Sequence, residues 1–174
     1  YSQISNLNYR SLSTTVSDKE LLQASQKYLS SLNTNNSSLA MSMYRYIPFF
    51  GAKNITIKLF DTKKYYQFGW SKGLIPISSS GSEPDIEMSS ESLLYVLSYP
   101  WGFGTLMVNG RFRSKDLVHA KSSRIFRLGL MNSIDKRLTF GFIIKEGFSK
   151  IFGKGLSTDD DWSLHKLWPR FLKE

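Results

Sequence analysis

The chain has 174 residues, a formal net charge of +9, 41% hydrophobic and 14% aromatic residues, and no cysteine. That length fits one domain with terminal decorations, and the globular composition argues against a disordered chain. The absent cysteines exclude disulfides, thiolate metal sites and thiol catalysis, and no run approaches the roughly 18 apolar residues that span a bilayer.

Residues 1–16 read as a polar lead-in. They carry no apolar signal-peptide core, and the missing initial Met fits a piece of a longer protein, with the cytoplasm as the expected location. In "VSDKELLQASQKYLSSL", Ser17 and Glu20 form a capping-box pattern: the Ser hydroxyl accepts from the third helical amide and the Glu reaches back. Leu21, Leu22, Tyr28, Leu29 and Leu32 then keep a helical stripe, which predicts a helix over 17–32. "NTNNSS" breaks it. The aromatic segment 39–50 fits a short helix ending before Pro48, because the residue before a proline avoids the helical region.

"NITIKLFD" alternates Ile55, Ile57 and Leu59 against Thr56 and Lys58, the mark of a half-buried strand. "TKK" turns into "YYQFGW", a second strand with Tyr66, Phe68 and Trp70 on one face. "LIPIS" is the third strand, and Pro76 assigns it to an edge or a bulge. "DIEM" is a short fourth strand; Asp85 and Glu87, two apart on one strand face, read as solvent-facing residues opposite Ile86 and Met88, with an acid/base pair as the alternative. "SSESLLYVLSY" caps and runs as a helix to Pro100. After "WGFG", "TLMV" is another apolar run, and "RFRSKDLV" reads as a fifth strand. The remainder reads as basic helices broken by glycines. From Arg111 to Glu174 there are 14 Lys/Arg and 7 Asp/Glu, so this last part carries +7. Such a face favours anionic partners, by a weak and salt-screened attraction.

The order predicts an α+β fold: a mostly antiparallel five-stranded sheet with helices on one face. Residues 17–118 are the expected core, and 119–174 a basic helical extension packed on the same domain.

The pieces "ITIKLFD", "YYQFGW", "PDIEMSSESLLYVL" and "GTLMVNGRFR", taken in this order, resemble the sterol carrier protein 2 family over about 53–118. The chain departs from it at "YPWGFG", in the N-terminal aromatic segment and in the basic extension. The resemblance implies a five-stranded sheet covered by helices around an apolar tunnel for a fatty acyl chain or sterol. Such domains also occur as accessory modules of larger enzymes, metallo-β-lactamase-fold hydrolases among them. In that frame Ile57, Leu59, Phe68, Trp70, Leu94, Leu97, Trp101, Phe103 and Leu106 are the expected pocket lining. Filling of an ordinary core, or of an interface, is the alternative for Trp101 and Phe103.

Catalytic constellations are not apparent. His119 and His165 have no ligand partner at helical spacing, and Asp159, Asp160 and Asp161 lack the alternation of a calcium loop. There is no Gly-x-Ser-x-Gly elbow, dinucleotide fingerprint or phosphate-binding loop. "RFR" and "KSSRIFR" interleave Arg with Phe as nucleic-acid surfaces do, but equally as any solvated amphipathic helix does. The sequence thus points to a non-catalytic domain without cofactor or metal. It would bind a fatty acyl or sterol-like ligand, touch anionic membrane weakly, and serve another domain of a parent enzyme, with no specific nucleic acid expected. The alternatives are a packed structural or interaction domain and a basic nucleic-acid-binding module.

Overall fold

Ser17 starts the first helix as its spacing predicts. In the structure, a computed structural model that describes residues 14–46, 54–78, 83–114 and 121–144, the Ser17 hydroxyl accepts from the Glu20 amide at 3.3 Å and the Ser17 amide donates to Glu20 Oε2 at 3.1 Å. Helix α1 then runs Asp18–Asn35, with Leu21, Tyr28, Leu29 and Leu32 buried and Leu22 only half-buried. Helix α2 follows at Ser38–Tyr46. The expected stop before Pro48 lies outside the described residues.

Strands β1 (Ile55–Leu59), β2 (Tyr65–Gly69) and β3 (Gly73–Ile77) form the predicted meander, and β4 (Ile86–Met88) precedes helix α3 (Ser90–Ser98). Helix α4 (Gly102–Asn109), strand β5 (Phe112–Ser114) and helix α5 (Lys121–Ser133) complete the described elements of the first unit. The strand order is β3-β2-β1-β4-β5. Three pairings are antiparallel, but β1 and β4 run parallel, with Ile57 opposite Ile86 and Leu59 opposite Met88. The expected mostly antiparallel sheet is therefore a mixed one. The chain crosses over from β3 to the far side of β1, so β4 meets β1 in the same direction.

Side-chain alternation then separates the two sheet faces. Ile55, Ile57, Leu59, Tyr66, Phe68, Ile86 and Met88 have no exposure. Their neighbours Thr56, Lys58, Gln67 and Glu87 stay half-exposed. Helix α1 packs on β3 and α3, and α5 packs on β1. On the other face, Glu87 binds Lys58 at 2.6 Å, and Asp85 Oδ2 accepts from the Thr56 amide at 2.9 Å. These carboxylates are thereby engaged in joining β4 to β1.

Glycines of this part sit inside helices. The apolar run after "WGFG" is helical, with Gly102 and Gly104 inside α4; strand β5 is described over Phe112–Ser114, and the end of the expected strand lies outside the described residues. A Cβ on Gly102 would stand 2.7 Å from the Tyr95 carbonyl oxygen and 2.9 Å from Val96 Cα. Only glycine permits this approach of α4 to α3. Likewise Gly129 does not break α5 but sits within it, where a Cβ would collide with the Tyr28 hydroxyl.

The chain divides into two compact units, Tyr1–Leu138 and Thr139–Glu174. In the second, Thr139 starts a helix over 140–144, its Oγ1 accepting from the Phe142 amide at 3.2 Å. His119, His165 and Asp159 to Asp161 lie outside the described residues.

Asp18 links α1 to β2. It accepts from Lys64 Nζ at 2.7 Å and from the Tyr66 hydroxyl at 2.9 Å, and these bonds hold its carboxyl below its ordinary value of 3.8. A depressed carboxyl contributes stability above its unfolded pKa, and that contribution is lost as pH falls through the lower folded value. Asp18→Asn is expected to be less stable than the parent at neutral pH. The gap should close on acidification below about the ordinary carboxylate range. Urea unfolding across pH checks this; a gap that stays constant into acid would contradict it.

Candidate functional site

The space between the sheet and the helices is occupied by rings. Phe68 of β2 stacks on Phe126 of α5, with centroids 5.3 Å apart and planes at 15°. Phe126 stacks in turn on Phe103 of α4 at 4.9 Å and 28°. Tyr28 of α1 stands edge-on to Phe126 and tilted to Phe68, both at 6.2 Å, and Phe112 of β5 lies 5.9 Å from Phe103. Burial raises the Tyr28 phenol well above its usual pKa, opposed in part by the Gly129 backbone amide at its oxygen. The phenol therefore stays neutral in the core.

Most of the expected pocket residues are buried. Ile57, Leu59 and Phe68 are wholly buried, and Trp70, just past β2, is 5% exposed. Leu97, Phe103 and Leu106 are buried on α3 and α4, and Leu94 is half-buried. Trp101 is not among them. It is the N-cap of α4 and 48% exposed. Gly102 presses the backbone against α3, and the indole lies outside, 5.3 Å from Tyr99, which is 5.0 Å from Tyr95. The two rings of "WGFG" thus part: Phe103 goes inward and Trp101 outward.

Phe126, the centre of the stack, was missed by reasoning from sequence. Arg124 and Arg127 drew attention to a charged face, although Ile125, Leu128 and Asn132 keep helical spacing on the buried one. The same signal covers Asn132, whose amide accepts from Asn36 Nδ2 at 2.8 Å and donates to Asn36 Oδ1 at 3.1 Å. Asn36 Oδ1 also accepts from the Leu138 amide at 2.6 Å.

A cleft of about 110 Å³ opens at the end of the β2–β3 hairpin, bordered by Asn54, Gln67, Lys72 and Ile75. It is polar and separate from the ring layer. Among the described residues no three His, Asp or Glu side chains converge to hold a metal ion, and no helix is long and apolar enough to cross a membrane.

No family model matches the chain, and no curated protein matches it. Among solved structures, it is similar to a chain described as "UbiJ-SCP2 Ubiquinone synthesis protein". The identity is 13%, the match covers 68% of this chain and 97% of that one, and the TM-score is 0.39.

Truncating the central ring tests this packing. Phe126→Ala is expected to cost about 3–5 kcal/mol of folding free energy, the range for a buried aromatic replaced by alanine. Trp101→Ala should cost less than about 1 kcal/mol, because its ring is half in solvent. Denaturant midpoints of the two variants decide it, and equal losses would contradict the inward and outward assignment.

Proposed function

We propose that the first unit is a non-catalytic binding domain of the sterol carrier protein 2 type that takes a fatty acyl or sterol-like molecule between its sheet and α3–α5. In this reading it serves as an accessory domain of a larger enzyme, of which a metallo-β-lactamase-fold hydrolase is one candidate. It needs no cofactor or metal. Its positive charge adds a weak, salt-screened contact with anionic membrane and no base-specific recognition of nucleic acid.

The observation that carries the reading is the sheet's inward face. It is apolar from β1 to β4 apart from one Tyr66 hydroxyl, which is tied to Asp18. The sheet's charged groups lie on the other face, where Lys58 pairs with Glu87. Apolar-ligand sites are built from such surfaces, with few polar groups. Rings that meet face to face, as Phe103, Phe126 and Phe68 do, can slide apart to admit a chain while keeping apolar contact on both sides.

The same stack favours a second reading, a structural or interaction domain whose core is simply full. The two differ in one measurement. Titration of the full chain with a fluorescent fatty acid should show a single saturable site, and Leu106→Phe, which narrows the layer, should weaken it. Saturating fatty acid should also raise the unfolding free energy, by about 2.7 kcal/mol at a hundredfold excess over Kd. No saturation and no stabilisation would leave the packed-domain reading. The purified chain is expected to turn over no acyl or phosphate ester. Turnover that follows the pure protein and vanishes on replacing one polar residue would overturn the non-catalytic part.

A further inference from the structure

The outward rings at the α3–α4 corner have no role in the ligand layer. Trp101 and Tyr99 are 48% and 43% exposed, and Val108, two turns along α4 from Trp101, is 74% exposed. Residues 101, 104, 105 and 108 share one face of α4 by helical spacing, and each is exposed or half-exposed. That face offers an indole, a glycine, a threonine and a valine, with no charge. Tyr95 and Tyr99 extend it onto α3 as a ladder of rings ending at Trp101.

Its charge setting is basic along the chain, although in the sheet Arg113 stands opposite Glu87. From Ser92 to Lys115 the sequence has no Asp or Glu, and its charged residues are Arg111, Arg113 and Lys115. Arg111 and Arg113 are both exposed where the chain leaves α4. Glu91, one helical turn before Tyr95, is the nearest carboxylate along α3.

Exposed Trp and Tyr beside aliphatic groups, with an exposed arginine, Arg111, about one turn beyond Val108, match the boundary between lipid headgroups and acyl chains. Amphipathic rings settle there, and arginines reach the phosphates. We infer that this corner, Tyr95, Tyr99, Trp101 and Val108, is the site at which the domain seats in the surface of an anionic bilayer. It gives the membrane contact of the proposed function a location, and it holds whether or not the interior takes a ligand.

The test uses the full chain with vesicles of phosphatidylcholine and phosphatidylserine, some carrying brominated acyl chains. Brominated lipid should quench the parent's tryptophan emission more than that of Trp101→Phe, because only the parent has an indole at the seat. The double variant Trp101→Ala, Val108→Ser should partition onto the vesicles about tenfold less, as expected for two large apolar groups withheld from the interface. Its unfolding midpoint should match the parent's, since both positions are exposed. Vesicle binding that the double variant leaves unchanged would overturn the inference while leaving the charge-driven contact in place. Equal quenching in parent and Trp101→Phe, absence of any vesicle binding, or concentration-dependent self-association removed by the double variant would each overturn it as well. Failure of fatty-acid binding alone would count against the ligand reading and not against this seat.

Discussion

The stack of Phe103, Phe126 and Phe68 is the contact through which the layers of this domain are joined. Phe68 belongs to β2, Phe126 to α5 and Phe103 to α4, and Tyr28 brings in α1 from the side. Each ring is held by a different element. The sheet position, the helix crossing and the short α4 are therefore mutually constrained, and none can shift without opening a void beside its neighbours. The two glycines follow from the same constraint. Gly129 clears room for the Tyr28 hydroxyl, and Gly102 lets α4 lie close enough to α3 to point Phe103 inward.

A polar counterpart to the rings holds the other end of α5. Asn36 follows α1 and Asn132 lies in the last turn of α5. Their paired amides also take the Leu138 amide and the Lys136 carbonyl. Both residues are only 8% exposed. Buried amides satisfied this fully fix one relative placement, because any slip leaves donors unpaired in the core. Rings set how the layers stack, and the amide pair sets where along its axis α5 stops.

Much of the frame was readable in the residues because it rests on local rules. The Ser17–Glu20 box, the alternation of Ile55, Ile57 and Leu59, and the Ser-capped Leu-rich α3 each write their structure into neighbouring positions. What stayed hidden depends on distant partners. Nothing local to "DIEM" says that it lies parallel to β1, and nothing local to "WGFG" says that one ring turns in and the other out. Of the expected pocket residues, the burial of those on strands follows from alternation. The exposure of Trp101 does not, because the approach at Gly102 decides its direction and that approach is tertiary. Phe126 was obscured by the arginines that neighbour it in the sequence.

The third strand has a consequence for how these molecules behave in company. Leu74 sends its amide to Ser25 Oγ at 2.7 Å, so in the antiparallel ladder with β2 its peptide group points to the open side. Pro76 lies two residues on with the same parity, and it has no amide hydrogen. Between Gly73 and Ile77 the free margin of the sheet therefore offers no hydrogen-bond donor to an incoming strand: one is already taken and the other never existed. Unpaired margins are where sheets of separate molecules zip together into aggregates. Here a single serine and a single proline close that route along β3, one of the two margins of the sheet.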